Sequence, residues 1–273
     1  MKSPFIESVR AEIRLRGYSI RTEKTYLTWI KKFIYFTNKQ HPKDVGAKEV
    51  KEFLSWLANE RNVAINTQKV ALNALVFLYQ KIFKRELGEL GFSLASRPRR
   101  LPDVLNPTEV KCILDNLEGR NKLAVQLMYG SGLRISECLR LRVQDIDLDN
   151  GSLTIRDGKG KKDRKTILSS RLKVPLLEAI EYAIRVQEID SLQGVGCSLP
   201  YALGRKYPNA YRMPAWAFIF PSTVLCKHPI TGLLCRHHLH QSVIRKALGK
   251  ATSCAGITLK QNDPGVCNKS IDG

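Results

Sequence analysis

Two cations separated by a helix and a hairpin carry the chemistry this sequence suggests. In YGSGLRISE, Arg134 follows a Gly-Ser-Gly turn at what reads as a helix start. In GKGKKDR, Lys159 lies between two glycines at what reads as a hairpin tip. A guanidinium fork and an ammonium so placed are two cations that could close on one phosphate. The plain alternative is that the arginine caps a helix and the lysine decorates a turn, since lysines are common at exposed strand edges. GKG is not a nucleotide-binding loop, because it lacks the G-x4-G-K-[ST] spacing that cradles a nucleotide.

A second cluster lies in SLQGVGCSLPYALGRKYPNAYRMPAWAFIFPS, residues 191–222. Tyr201, Tyr207, Tyr211, Trp216, Phe218 and Phe220 are interleaved there with Arg205, Lys206 and Arg212. Aromatics among bases can stack on unpaired nucleobases while holding the backbone, although a long loop can also pack its own aromatics. A third cluster, Cys235, His237, His238 and His240, invites a zinc reading. It is rejected, because adjacent histidines on a helix face different ways and no C-x2-C partner exists.

Charge names the partner for such groups. The 273 residues carry 45 Lys+Arg against 25 Asp+Glu, a net +20, which favours a polyanion whose counterions are released on binding. Residues 1–86 hold 17 basic and 8 acidic side chains, and residues 106–273 hold 25 and 15. Both halves are therefore basic, which points to two domains that each touch the polyanion rather than to one basic tail. Seven cysteines, odd in number and irregularly spaced, read as reduced cytosolic thiols. No apolar run approaches the 18 or so residues of a membrane span.

Four amphipathic helices should build the first domain, residues 1–86, as an all-α unit. Their apolar faces are Phe5, Ile6, Val9 and Ile13, then Tyr26, Trp29, Ile30, Phe33 and Phe36. Val50, Phe53, Leu54 and Leu57 follow, then Val70, Leu72, Leu75, Leu78, Tyr79 and Ile82 in a helix capped by Asn66 or Thr67. Residues 87–103 lose this periodicity, and Pro98 and Pro102 among Arg97, Arg99 and Arg100 suggest a basic linker or a simple solvated connector.

The second domain, residues 104–260, should open on a capped helix at Asn106-Pro107-Thr108-Glu109. After a helix from Arg134, residues 143–146, 152–156 and 164–168 read as three short antiparallel strands. Residues 171–189 read as a helix with Val174, Leu177, Ile180 and Ile184 inward. A last helix should run from Arg236 to Ala251 with Leu239, Val243, Ala247 and Ala251 on one side, before a divergent polar tail at 261–273. The fold class is mainly α (α+β), a four-helix domain followed by a mostly helical one with a small three-stranded antiparallel sheet.

YGSGLRISE, LRVQDIDLDNG, GKGKKDR, KYPNAY, FIFPS and RHHLHQSVIRKAL, in this order, resemble the integron integrases, a branch of the tyrosine site-specific recombinases. The resemblance implies a SAM-like core-binding domain and a catalytic domain that together clamp DNA, with no cofactor and no metal. Arg134 matches the arginine that would hold the scissile phosphate, and Lys159 the lysine that would protonate the 5′-oxygen. Glu137 matches a residue that would orient the site. Arg205, Lys206, Tyr207, Tyr211, Trp216, Arg236 and His240 fall in segments expected to hold nucleic acid, including extrahelical bases of a folded single-stranded site. The partners implied are double-stranded and folded single-stranded recombination sites and further copies of the chain on DNA, in the bacterial cytoplasm at the nucleoid.

The family pattern then breaks. It requires a His-x-x-Arg pair, a further His or Trp and a tyrosine nucleophile, yet no His-x-x-Arg occurs and the last tyrosine is Tyr211. Without that hydroxyl no phosphotyrosyl link can form. The expectation is a recombinase truncated at its C-terminus, its catalytic domain incomplete and its strand transfer defective. The alternative is a non-catalytic DNA-binding or regulatory remnant that occupies recombination sites.

Overall fold

The computed structural model describes residues 3–88, 104–156, 162–200 and 203–257. Lys159, most of the 87–103 linker and the 261–273 tail lie outside these residues. The chain divides into two compact units, Met1–Arg100 and Leu101–Gly273.

The first unit packs α1 (Pro4–Leu15), α2 (Ile20–Phe36), α3 (Ala47–Asn59) and α4 (Ile65–Phe77) around one core, with a π-helical turn at Leu78–Ile82. Ser19 caps α2 by accepting from the Thr22 amide, and the three- and four-residue apolar spacing of α3 buries Val50, Phe53, Leu54 and Leu57. Two details of α4 differ from the sequence reading. The helix starts at Ile65 with no side-chain cap, so neither Asn66 nor Thr67 caps it. Its buried stripe is Ala71, Ala74 and Leu75, while Val70 is 37% exposed. Both alanines are fully buried in the core of the unit.

The second unit opens with α5 (Pro107–Asp115) on the expected capping box: Asn106 accepts from the Glu109 amide, and the Glu109 carboxylate accepts from the Asn106 amide. There follow α6 (Gly119–Ser131), the single-turn α7 (Ile135–Leu139) and an antiparallel sheet of β1 (Ile146–Asp147), β2 (Ser152–Ile155) and β3 (Arg164–Ile167). The sheet order is β1-β2-β3, with Leu153 opposite Thr166 and Ile155 opposite Arg164. Residues 143–145, expected in the first strand, form a 3-10 turn because the Asp145 carboxylate accepts from the Arg142 amide and closes it as a cap.

Helix α8 (Lys173–Leu192) exists as expected but turns a different face inward. Leu176, Ala183, Gln187 and Asp190 are buried and Ile180 packs half-buried against the core as expected, whereas Val174 is 68% and Leu177 46% exposed. After α9 (Leu203–Lys206) and two 3-10 turns, the hairpin β4 (Cys226–Lys227) and β5 (Leu234–Cys235) precedes α10 (Gln241–Cys254). Residues 236–240 are not helical: Arg236 and His238 form isolated strand-type bridges with Cys197 and Pro221, and His240 becomes the N-cap of α10. The last helix therefore begins five residues later than its sequence suggests, and it buries Ile244, Leu248, Ala251 and Thr252. No helix among the described residues is long and apolar enough to cross a membrane.

Candidate active site

The α6–α7 turn places Arg134. Gly132 adopts a left-handed conformation (φ 62°) at the end of α6, a position that penalises any side chain. Leu133 then drops fully into the core, and Arg134 becomes the N-cap residue of α7 with extended backbone. A guanidinium cannot accept a hydrogen bond, so Arg134 does not cap through its own side chain. Glu137 does the capping: its Oε2 accepts from the Arg134 backbone amide at 3.0 Å and its Oε1 from the Arg134 guanidinium at 2.9 Å.

The same carboxylate holds a second guanidinium. Arg164, at the start of β3, donates from Nη1 to Glu137 Oε1 at 3.0 Å and from Nη2 to Glu137 Oε2 at 2.8 Å. Glu137 is buried, its side chain 2% exposed, while those of Arg134 and Arg164 are 36% and 37% exposed. Burial alone would raise the Glu137 pKa, but hydrogen bonds from Arg164 and from the Arg134 amide and guanidinium hold it down at about 2. Thr166 also donates to the Ser131 carbonyl at 3.0 Å and Arg164 to that of Gly132 at 3.4 Å, tying β3 to the turn that carries Arg134. One buried anion thus fixes two half-exposed cations, an arrangement suited to a dianionic or phosphodiester oxygen pair.

Sequence reasoning missed Arg164 as a site residue. The available signal was its place as the last residue of GKGKKDR, where the hairpin re-enters the sheet. Lys159 lies outside the described residues.

The residues expected to touch nucleic acid divide into distinct groups. Arg205, Lys206 and Tyr207 are exposed on and after α9, with the Lys206 ammonium 5.3 Å from the Tyr207 ring centroid. Tyr211 is half-buried beside Arg212, whose guanidinium lies 5.1 Å from the ring centroid. Its carbonyl accepts from the Gln187 amide at 2.5 Å and from the Cys197 backbone at 3.0 Å. Trp216 is woven into the unit: its carbonyl accepts from the buried Arg142 at 2.5 Å, and the same guanidinium sits 5.4 Å from its ring centroid and 4.0 Å from that of Phe218. Desolvation lowers the pKa of Arg142. Phe218 and Phe220, grouped by sequence with the exposed aromatics, are 3% and 1% exposed and belong to the interior.

Arg236 is engaged internally. Its guanidinium makes a two-pronged pair with Asp190 at 2.6 and 2.8 Å and donates to the Ser222 carbonyl at 3.0 Å. His240 caps α10 by accepting from the Ser242 amide at 3.2 Å. The histidine argument against zinc assumed a helix, whereas His237 and His238 stand side by side in an extended segment, ring centroids 4.1 Å apart. His237 Nδ1 instead meets Ser198 Oγ at 2.7 Å. Among the described residues, no group of three or more His, Cys, Asp or Glu side chains could hold a metal.

Comparison with known proteins places this geometry in a family. Residues 5–89 match the phage integrase N-terminal SAM-like domain, and residues 103–264 match the phage integrase family. An integrase/recombinase of Escherichia coli is 43% identical over 255 residues, covering 93% of this chain and 76% of the relative. The tyrosine recombinase XerA of Pyrococcus furiosus is 30% identical over 197 residues, 70% of this chain and 64% of the relative. Among solved structures, the XerH recombinase bound to its difH substrate aligns over 94% of this chain and 74% of its own, with a TM-score of 0.56 and 22% identity. A lambda integrase tetramer bound to a Holliday junction aligns over 93% and 63%, with a TM-score of 0.60 and 15% identity. These two share the mainly helical fold with its small antiparallel sheet. The chain belongs to the phage integrase family, the tyrosine site-specific recombinases.

Proposed function

We propose that this chain is a DNA-binding recombinase of the integron integrase type, whose Arg134–Glu137–Arg164 cluster grips the backbone phosphate at the crossover point. The observation that carries the proposal is the shared carboxylate: Glu137 restrains two guanidinia that each remain about one-third exposed, so both can reach a phosphate without losing their anchor. Arg134 contributes charge stabilisation, Lys159 is the proton donor to the 5′-oxygen, and Glu137 orients. The first unit is the core-binding domain, the second the catalytic one, and +20 net charge supplies sequence-independent affinity for DNA. Several copies assemble on the recombination site.

The integron assignment rests on the exposed Arg205-Lys206-Tyr207 group, where an aromatic ring lies beside two cations. Such a surface stacks an extrahelical base and holds its phosphate. These 273 residues contain no His-x-x-Arg and no tyrosine beyond Tyr211, so the groups in hand account for phosphate binding and charge stabilisation and not for a covalent phosphotyrosyl step. The competing reading, a regulatory protein occupying recombination sites, shares this outcome and rests on the same missing groups.

The test uses fluorescence anisotropy with two recombination-site probes, one fully paired and one folded with two unpaired bases. Arg134→Ala should weaken binding to both and reduce the salt slope by about one. Tyr207→Ala should cost about tenfold on the folded probe alone, the worth of one stacked base. A covalent protein–DNA adduct on a nicked site would refute the reading that these residues hold no nucleophile, and equal losses on both probes for Tyr207→Ala would refute the integron assignment.

A further inference from the structure

Outside the phosphate-gripping cluster, Cys226 and Cys235 stand directly opposite each other in the β4–β5 ladder. Residues so placed on antiparallel strands have Cα atoms about 4.5–5.5 Å apart, inside the roughly 4.4–6.8 Å that a disulfide spans. The turn that joins the strands is built for this register. The His228 amide donates to the Leu233 carbonyl at 2.8 Å, and the Gly232 amide to the His228 carbonyl at 2.9 Å. The His228 ring nitrogen accepts from the Ile230 and Thr231 amides at 3.3 and 3.2 Å. At its other end, β5 leads into Arg236, which is locked to Asp190. Little chain entropy remains to be lost on closing the ten-residue loop from Cys226 to Cys235.

The two thiols differ in the way a reactive pair requires. Cys226 is exposed to solvent and open to a small-molecule disulfide. Cys235 is buried, its thiol donates toward the Cys226 carbonyl at 3.5 Å, and burial together with the neighbouring Cys226 pushes its pKa up to about 12. One thiol is accessible, and the other is sheltered within bonding reach of it. Cys112 and Cys254 are equally exposed, but neither stands opposite a cysteine in a strand pair.

We propose that Cys226 and Cys235 form a thiol–disulfide exchange site that takes small-molecule disulfides of the glutathione class and closes as a cross-strand disulfide. In the first step the Cys226 thiolate attacks one sulfur of the small disulfide. A protein–small-molecule S–S bond forms, the original S–S bond breaks, and one small thiol departs carrying the proton lost by Cys226. Cys235 then attacks Cys226 Sγ, the Cys226–Cys235 bond forms, and the second small thiol leaves with the Cys235 proton. Two protein thiols are oxidised and one small disulfide is reduced to two thiols. The closed clip stiffens the hairpin that feeds the Arg236–Asp190 and Ser198–His237 contacts.

To test this, the full chain is incubated with glutathione disulfide, the remaining thiols are alkylated, and a digest is read by mass spectrometry without reduction. Expected is a Cys226–Cys235 crosslinked peptide, with glutathione retained on Cys112 and Cys254 but about tenfold less on Cys226, because an intramolecular thiol outcompetes a dilute one. Cys235→Ala should leave Cys226 carrying stable glutathione. Closing a loop this short should raise the melting temperature of the oxidised chain by about 5 °C, and that rise should be absent in Cys226→Ser. The proposal falls if Cys226 holds glutathione as persistently as Cys112 in the unaltered chain, whether or not either variant folds.

Discussion

Replacing Glu137 by glutamine tests the central cluster with the least change in shape. The native carboxylate accepts four hydrogen bonds, two from Arg134 and two from Arg164. Glutamine keeps one acceptor oxygen and turns an NH2 group toward donors, so at least two of the four are lost. The carboxyl pKa of about 2, against an ordinary 4.5, corresponds to about 3 kcal/mol of preference for the charged form in the folded state. Water can resolvate both half-exposed guanidinia when the anion is removed, so a loss of about 2–3 kcal/mol is expected rather than the upper end for a fully buried pair. For a unit of this size that lowers the melting temperature by about 5–10 °C.

The pH dependence has a fixed direction. The folded pKa of Glu137 lies below the unfolded one, so the native state binds fewer protons between about pH 4.5 and pH 2. Its stabilisation is complete above about pH 4.5 and fades as the pH falls toward 2. Urea unfolding of the native and Glu137→Gln chains should therefore show the full gap at neutral pH and a narrowing gap on descent through that window. A gap below about 0.5 kcal/mol at neutral pH, or one that stays constant to pH 3 or so, refutes the assignment of Glu137 as the ionised anchor of both guanidinia.

Gly196→Ala should destabilise the second unit by more than about 2 kcal/mol, because a Cβ there would collide with the Tyr211 carbonyl oxygen, which Gln187 and Cys197 hold in place; chemical denaturation of the variant measures it. Asp190→Asn should cost about 3 kcal/mol by leaving the Arg236 guanidinium without its counter-ion, and Arg236→Lys should recover only part of the native stability, since an ammonium cannot make the two-pronged contact. In binding assays, Asp190→Asn should leave the salt slope for duplex DNA unchanged, because that ion pair is internal.

What the sequence made legible follows the range of the interactions concerned. The stripes of α1 to α3 and the capping box at Asn106–Glu109 are set by neighbours within a few residues, and they appear as read. The inward face of α8 was misread because apolar spacing cannot register buried polar groups. Gln187 and Asp190 are tolerated inside since each has a distant partner, the Tyr211 carbonyl and Arg236. The same blindness hid RHHLH, where helix-like composition yields to strand-type bridges with Cys197 and Pro221 from elsewhere in the chain. It also hid Arg164, whose role depends on a carboxylate 27 residues away.

Arg164 changes how the hairpin relates to Arg134. It pairs with Ile155 at the tip-side end of the β2–β3 ladder and is clamped to Glu137 there. Four residues of chain separate Arg164 from Lys159, and the five Cα–Cα steps between them reach at most ~18 Å. Glu137 therefore holds the first residue of β3 as well as the residue that starts α7, the two ends of the proposed phosphate grip. A substitution that releases Arg164 from Glu137 should therefore weaken phosphate binding even with Arg134 unmoved. That coupling explains why one buried carboxylate serves both cations: two separate anchors would fix two side chains, but a shared one also fixes the distance between them.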